Sequence, residues 1–372
     1  MGSETKIQWT DYTFNPWIGC SKVHTGCKNC YAEADMADRR KRVVWGPNGT
    51  RSKTSEQYWR QPITWNAKQQ IVIDTMAEGR EMGLPDPDRL PRRPRVFCAS
   101  LADVFEDWRT ETHVGIIVNH KGEQLCINDK DQNIKTYAEW AGVDDDRRPL
   151  TMDDLRRDLF TLIDATPNLD WLILTKRPEN VFGMWPENVA AWEQFKASDP
   201  TQRHGAPKFR NNLWIGTSVS DQETADKAIP ELLKLHELTP CLFLSVEPLV
   251  GPMELNRIKT AVGGMYRDPL GGRDFDTNGW SDSGGPCVDW VIAGGESGPN
   301  ARPCKVGWLR ELKNQCEDAS VPFFCKQLGS NAEHDGGCNR KLFVKDKKGG
   351  DPAEWPESLR VRQFPKMAKA SV

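Results

Sequence analysis

The 372-residue sequence lacks three features, and each absence excludes a class of protein. No apolar run approaches the roughly 20 residues that a membrane-spanning helix needs, which argues against a transmembrane protein. The first six residues contain no apolar segment of the kind that a secretory signal requires, so we expect a cytoplasmic location. Neither sign of charge dominates, because the net charge is only −3. Any contact with nucleic acid would therefore depend on local basic patches.

The cysteines do not suggest a disulfide framework, because they are odd in number and no secretory signal precedes them. Of the eleven, Cys20, Cys27 and Cys30 lie on one short segment with the spacing Cys-x6-Cys-x2-Cys and no fourth cysteine nearby. Three thiolates suit three irons of a [4Fe–4S] cluster and leave the fourth iron open to a small molecule. The same segment contains His24, which with the three cysteines would complete a closed tetrahedral zinc site.

Short apolar runs recur along the chain, and each ends abruptly in polar residues or glycine. Continuous apolar runs are typical of strands that are buried on both faces of a parallel sheet. With a first strand near residues 13–18 they give about seven strands, which predicts an α/β fold with a partial or complete parallel (β/α) barrel. The later runs are Val96–Ala99, Trp171–Leu174, Leu213–Gly216, Cys241–Leu244, Trp290–Ala293 and Pro322–Cys325.

Helical patterns lie between these runs. Thr151 is a suitable N-cap for a helix whose apolar positions recur at helical spacing, with acidic residues in its first turn. A second helix is predicted over residues 306–319, and a third over residues 221–235, where Pro230 weakens the pattern.

Two regions do not follow the strand and helix rhythm, although we interpret residues 1–372 as a single domain. Residues 109–150 contain two β-rich segments and are predicted to form an inserted hairpin. Residues 258–287 are rich in Gly, Asp and Ser and are predicted to form a long mobile loop. Residues 40–94 hold no clear strand and are interpreted as helical covering structure.

Polar residues follow the apolar runs, where α/β folds place their chemistry. Loops after parallel strands gather at one end of a sheet, so these residues are expected to lie close together. The run Gly294-Gly295-Glu296 is the most informative, because its glycines allow a ligand to approach and its carboxylate can accept bonds from an ammonium group. An amino acid would fit such a site. The strand-end residues are Ser100, Asp103, Lys176, Ser218, Glu247, Glu296 and Lys326.

A set of short motifs carries a resemblance to a known family. They are Trp9-Thr10-Asp11, Asn15-Pro16-Trp17, the spaced cysteines ending in Cys30-Tyr31-Ala32-Glu33, Leu174-Thr175-Lys176-Arg177-Pro178-Glu179-Asn180, Ser245-Val246-Glu247-Pro248-Leu249, Trp290-Val291-Ile292-Ala293-Gly294-Gly295-Glu296-Ser297-Gly298 and Phe323-Phe324-Cys325-Lys326-Gln327. The chain resembles the three-cysteine-motif family of radical-SAM-like proteins, which is common in phages and often encoded beside a three-Cys-motif partner protein. The resemblance covers most of the chain apart from the two insertions.

The resemblance implies a partial barrel of the radical-SAM type with a [4Fe–4S] cluster on Cys20, Cys27 and Cys30. S-adenosylmethionine would bind the open iron, and one electron from the cluster would yield a 5′-deoxyadenosyl radical that abstracts hydrogen from substrate. A reductant such as flavodoxin or ferredoxin and the three-Cys-motif partner protein are the implied partners. The implied roles are cofactor binding for Ser100, Asp103, Ser218, Gly294, Gly295 and Glu296, and catalysis, as substrate-orienting or proton-shuttling groups, for Lys176, Glu247 and Lys326.

Two features depart from the usual radical-SAM pattern. The usual cysteine spacing is Cys-x3-Cys-x2-Cys, which is shorter in its first gap than the spacing here. The usual Gly-Gly-Glu follows the second strand, where this chain has Ser100-Leu101-Ala102-Asp103. Either Asp103 binds the ammonium group of the cofactor and Glu296 meets substrate or ribose, or the two roles are reversed.

A nucleobase, in DNA more than in RNA, is the expected substrate. The phage setting of the family suggests hypermodification or repair of bases, in the host cytoplasm if the protein is phage-encoded, and a base would have to flip out of its stack. Basic clusters with aromatic residues between them would track a phosphate backbone and stack a base, although a solvated helical face explains them equally well. They are Arg39–Arg42, Arg89, Arg92, Arg93 and Arg95, with Trp45, Tyr58, Trp59 and Trp65. The alternative is a zinc-stabilised nucleic-acid-binding or structural phage protein without catalysis.

Overall fold

The computed structural model describes residues 5–81, 91–108, 117–128, 132–136, 139, 147–187, 208–260, 264–276, 279–281, 284–335 and 340–366. The chain forms two compact units. The first unit comprises residues 1–21 and 32–173, and the second comprises residues 22–31 and 174–372. No helix within the described ranges is both long and apolar enough to cross a membrane.

Most strands are short. In chain order they are β1 (Tyr12–Thr13), β2 (Trp17–Ile18), β3 (Arg51–Lys53), β4 (Arg95–Cys98), β5 (Ile117–Val118), β6 (Leu125–Asn128), β7 (Ile134–Thr136), β8 (Arg147–Pro149), β9 (Asp170–Thr175), β10 (Leu213–Val219), β11 (Leu242–Val246), β12 (Ile258–Lys259), β13 (Tyr266–Asp268), β14 (Arg273–Asp276), β15 (Gly279–Ser281), β16 (Trp290–Gly294), β17 (Cys304–Lys305), β18 (Phe323–Gln327) and β19 (Ala332–Glu333).

The helices fall between the longer strands. They are α1 (Tyr31–Glu33), α2 (Glu56–Trp59), α3 (Gln61–Glu81), α4 (Met152–Asp164), α5 (Val181–Met184), α6 (Gln222–Leu233) and α7 (Val306–Asp318). A π-helical turn, Ala34–Arg39, follows α1 directly.

Seven strands form the central sheet in the order β1-β4-β9-β10-β11-β16-β18. The sheet is parallel and curled into a half-barrel, which confirms the α/β class and the partial parallel barrel. All six later apolar runs are strands of this sheet, as the sequence predicts. The first predicted strand is divided, because only Tyr12–Thr13 joins the sheet, whereas Trp17–Ile18 pairs with β3 in a smaller one.

The central-sheet strands of the second unit are buried on both faces, which explains why they appear in the sequence as continuous apolar runs. All seven residues of β10 are buried, and its neighbour β11 is buried along its whole length. Gly216 in β10 leaves room for Phe243 in β11, since a Cβ atom at Gly216 would lie 2.5 Å from that ring. Burial on both faces leaves no polar alternation in these strands, which is the pattern expected of a covered parallel sheet.

The predicted helices are confirmed, and local capping explains where two of them begin. Thr151 and Asp154 form a capping box at α4, with each side chain accepting a hydrogen bond from the other residue's backbone N–H. Asp221 caps α6 in the same way by accepting from the Thr224 N–H at 2.9 Å. Pro230 lies inside α6, which still continues to Leu233.

Residues 109–150 contain the predicted turn but not a simple hairpin. The Asn119 N–H donates to the Glu123 carbonyl at 2.9 Å, and Val118 bridges to Gln124. The two arms then join different sheets, because β5 pairs in parallel with β3 and β6 pairs antiparallel with β7 and β8. Residues 114–116 of the predicted first arm lie outside the described part of the chain.

The prediction of a long loop at residues 258–287 is wrong for its described part, which forms a four-stranded antiparallel sheet of β12, β13, β14 and β15. Gly264 and Gly272 have positive φ in the connections from β12 to β13 and from β13 to β14, and Gly279 has positive φ at the start of β15. A composition rich in Gly and Asp is shared by loops and by short hairpins, and strands of two to four residues are too short to show alternation.

Asp170, the first residue of β9, makes stability depend on pH. Burial raises its pKa to about 6, although Arg93 lies 2.8 Å from its carboxylate and lowers the pKa. Because the folded state binds the proton more tightly than the unfolded state, the contribution of Asp170 to stability falls as pH rises from 3.8 to about 6. We expect the free energy of unfolding of Asp170→Asn, relative to that of wild type, to rise by roughly 2–3 kcal/mol between pH 4 and pH 7. Urea unfolding of both proteins at the two pH values measures this change. A difference that does not change with pH would contradict this.

Candidate functional site

The segment of residues 22–31, here called the cysteine segment, belongs to the second unit and contains Cys27 and Cys30. Its 3-10 turn, Thr25–Cys27, begins at His24, whose Nδ1 accepts the Gly26 N–H at 3.0 Å. The Thr25 hydroxyl donates to Asp221 at 2.8 Å, and Asp221 also caps α6. The turn is therefore attached to the first residues of α6, directly after β10.

The cysteine segment also contacts the residues after β16. Arg302 donates to both Glu296 oxygens, with Nη2–Oε1 at 2.7 Å and Nε–Oε2 at 3.0 Å. Arg302 Nη1 reaches the Thr25 carbonyl at 2.8 Å. The Asn29 amide donates to Glu296 Oε2 at 3.0 Å and to the Asn300 carbonyl at 2.8 Å. Glu296 thus joins two points of the cysteine segment to the end of β16.

Two glycines in this region lie in close packing. A Cβ atom at Gly26 would lie 2.3 Å from Ser220 Oγ, so a larger residue there would require the side chains of Ser220 and His24 to move. A Cβ atom at Gly295 would lie 2.2 Å from the Leu328 carbonyl oxygen. The small size of Gly295 is therefore needed by the neighbouring backbone, whether or not a ligand also uses it.

His24 is neutral and faces the strand ends. Burial lowers its pKa to about 4, and the nearby positive charge of Lys176 lowers it too, against the opposing effect of Asp221. While Nδ1 accepts from Gly26, the rest of the ring lies against the backbone of Ser218. His24 therefore anchors the turn through Nδ1.

Two of the three motif cysteines, Cys20 and Cys30, are more exposed than the core cysteines. Cys20, in the first unit, and Cys30 are half-buried, Cys27 is 9% exposed, and none is in a disulfide. Cys98, Cys304, Cys316 and Cys325 lie in the core, where burial raises the thiol pKa. Among the described residues, no group of three or more His, Cys, Asp or Glu side chains is arranged to hold a metal ion.

Glu247 and Lys326 form an ion pair at the ends of β11 and β18. Lys326 Nζ lies 2.6 and 2.7 Å from the two carboxylate oxygens, and the pair is largely but not fully buried. Gln327 links this pair to Gly295, because its amide donates to Glu247 at 3.3 Å and to the Gly295 carbonyl at 2.9 Å. The Ser218 hydroxyl donates to the Glu247 carbonyl at 3.0 Å. The structure therefore brings Ser218, Glu247, Lys326 and Gly295 together.

Ser100 and Asp103 lie in the first unit and take part in local hydrogen bonds. Ser100 exchanges hydrogen bonds with the Asn15 amide at 3.1 and 3.2 Å. Asp103 is buried and accepts the Phe105 N–H at 3.1 Å. These bonds fix the chain after β4.

Most described side chains of the predicted basic and aromatic patch are buried in the first unit or make contacts within it. Tyr58 and Trp65 are buried, and Trp65 stacks on Tyr12 at 4.2 Å between ring centroids. Arg39 and Arg40 pair with Asp35, and Arg92 pairs with Asp11 at 2.7 Å. Arg89 lies outside the described residues. The buried rings are not placed to stack on a nucleobase.

Sequence reasoning missed Arg302 and Asn29, the two side chains that hold Glu296. Asn29 lies between Cys27 and Cys30 as an ordinary polar residue, and it is 267 residues away from Glu296 in the sequence. Arg302 follows Glu296 by six residues, a spacing that no local pattern distinguishes. Only the folded contact identifies them.

Comparison with protein families gives one extensive match. Residues 4–120 and 144–367 match a family model described as "Protein of unknown function (DUF5131)". Neither the curated proteins nor the solved structures give a match. Because the matched residues make up most of the sequence, the chain belongs to the DUF5131 family.

Proposed function

We propose that the protein is a radical S-adenosylmethionine enzyme whose [4Fe–4S] cluster is held by Cys20, Cys27 and Cys30. The observation that carries the proposal is three unbridged thiols on one short stretch of a chain that forms a partial parallel barrel. Three thiolates without a fourth leave an iron position open, which is where an amino-acid-bearing cofactor would bind.

The donor set suits a cluster better than the competing zinc site. A closed zinc site would need His24 as its fourth ligand. His24 already accepts the Gly26 N–H and lies against the Ser218 backbone, so recruiting it would cost the 3-10 turn its cap. The remaining donors are three sulfurs, which are the usual ligands of an iron–sulfur cluster.

The bound cluster and cofactor would supply hydrogen-atom abstraction, and the chain's own residues would hold the reactants. The paired charges of Glu247 and Lys326 lie at the ends of β11 and β18, which are separated in the sheet by β16, and the Ser218 hydroxyl is bonded to the Glu247 carbonyl. A half-buried ion pair of this kind can orient a polar group of substrate or exchange a proton with it. Lys176, near His24 at the end of β9, is proposed as a third such group. Ser100, Asp103, Gly294, Gly295 and Glu296 remain the proposed cofactor-binding residues, with Asp103 as the acid that meets the ammonium group and Glu296 on the side of substrate or ribose.

A nucleobase is the proposed substrate class, and the support for it is the phage setting of the family that the chain resembles. The aromatic residues of the first unit give no further support, because Tyr58 and Trp65 are buried in its core. A reductant such as flavodoxin or ferredoxin and a three-Cys-motif partner protein are proposed as partners on the same resemblance.

Release of 5′-deoxyadenosine tests the proposed function. Anaerobically reconstituted protein, reduced with dithionite and incubated with S-adenosylmethionine, is expected to release 5′-deoxyadenosine and methionine, because only reductive cleavage gives this product pair. The matched control is the same protein loaded with zinc, which has no accessible redox change. No 5′-deoxyadenosine above the zinc control would contradict the proposal.

A further inference from the structure

We propose that Glu296, Arg302 and Asn29 are positioning residues that hold the cysteine segment against the end of β16. This inference rests on the proposed function only where it concerns the cluster, because holding the segment is a property of the protein alone. It assigns Glu296 a role different from binding the ammonium group of a cofactor.

Both oxygens of the Glu296 carboxylate accept hydrogen bonds in this network. Oε1 accepts from Arg302 Nη2, while Oε2 accepts from Arg302 Nε, from the Arg302 backbone N–H at 2.8 Å and from the Asn29 amide. This fork geometry is the strong arrangement of an arginine with a carboxylate. An ammonium group would have to displace one of these donors.

Because the network is buried, removing its donors would be energetically costly. Glu296 is 6% exposed and Arg302 20% exposed, so a carboxylate left without these donors would be buried and unpaired. Burial by itself raises the pKa of Glu296, but the hydrogen bonds from Arg302 and Asn29 hold the pKa below its ordinary value. The side chain is therefore a stable anion in this environment.

The network ends on the cysteine segment at two points on either side of Cys27. Arg302 binds the carbonyl of Thr25, two residues before Cys27, and the Asn29 side chain lies between Cys27 and Cys30. Fixing both points restricts the backbone that carries the two thiols. Loss of the network should expose Cys27, which is 9% exposed in the intact structure.

Cysteine alkylation in the metal-free protein tests this inference. The rate of N-ethylmaleimide addition at each cysteine is followed by peptide mass spectrometry in wild type, Arg302→Met and Asn29→Ala. We expect Cys27 to react about tenfold faster in Arg302→Met, and Arg302→Lys to recover part of the protection because it keeps the charge but not the fork. Asn29→Ala should raise the rate less, since it removes two hydrogen bonds and no charge.

Controls separate a positioning role from general damage to the fold. Arg310→Met removes another arginine–carboxylate pair of the second unit, with Asp335, and should leave the Cys27 rate within about twofold of wild type. The core residues Cys241 and Cys316 should stay unreactive in every variant. If Arg302→Met exposes these core thiols, its fold is damaged. The Cys27 alkylation rate in Asn29→Ala then tests the positioning role. Wild-type alkylation of Cys27 in both Arg302→Met and Asn29→Ala would overturn the inference.

Iron retention in the same variants relates the network to the cluster. If the proposed function holds, reconstituted Arg302→Met should lose its iron faster than wild type during anaerobic dialysis, while Arg310→Met should not. Faster alkylation in a protein that never binds iron would leave the positioning role intact and contradict the proposed function instead. The two failures therefore give different results.

Discussion

Cys27→Ala is expected to bind little iron. Wild-type protein reconstituted anaerobically should hold about four irons and four sulfides per chain, whereas the variant loses one of three thiolate ligands and should retain well under half of that amount. Release of 5′-deoxyadenosine should fall below detection, because the reaction depends on the intact cluster. Iron and sulfide assays together with visible absorption spectra measure the effect.

Cys287→Ala is the matched control for this substitution. Cys287 is half-buried like Cys20 and Cys30 but lies outside the cysteine segment, so its loss should leave iron content and product release unchanged. Wild-type iron content in Cys27→Ala, or equal loss in both variants, would contradict the assignment of Cys27 as a ligand.

Glu106→Ala is expected to lower the free energy of unfolding by about 3–5 kcal/mol. Glu106 accepts from two nitrogens of Arg51, both at 2.8 Å, and the side chains are 2% and 0% exposed. Without Glu106 the Arg51 guanidinium stays buried, stacked on Trp108, with its charge uncompensated. Urea unfolding followed by tryptophan fluorescence measures the loss.

Two further variants show that the buried charge is the cause. Replacing both partners, as in Arg51→Met with Glu106→Leu, should recover part of the loss, since no charge remains in the core. Glu223→Ala breaks an exposed pair with Lys227 and should lower the free energy of unfolding far less than Glu106→Ala does. Equal losses for Glu106→Ala and Glu223→Ala would contradict the account of the buried pair.

The central sheet could be predicted from the sequence because its signals are local. Strands such as β10 and β16 are continuous apolar runs. The start of helix α4 is also marked locally, because Thr151 and Asp154, within four residues of each other, form its capping box. The sheet of β12 to β15 was not predicted from the sequence. Strands such as Tyr266–Asp268 carry charged residues and are too short to show alternation of apolar and polar residues. Local signals are weak wherever an element is short.

The candidate site was predictable in its motifs but not in its contacts. The strand-end rule identified Glu247 and Lys326, which the fold does bring together across 79 residues of sequence. No sequence rule pairs Arg51 with Glu106 or Asn29 with Glu296, because each pair depends on the path of the folded chain. Such long-range polar contacts carry no periodicity and appear only in the structure.

The metal content of the wild-type protein tests the central claim most directly. Protein purified without oxygen and reconstituted with iron and sulfide is expected to be brown, with broad absorbance near ~400 nm and about four irons per chain. One equivalent of tightly bound zinc, with no colour and no retained iron, would contradict the claim that Cys20, Cys27 and Cys30 hold an iron–sulfur cluster.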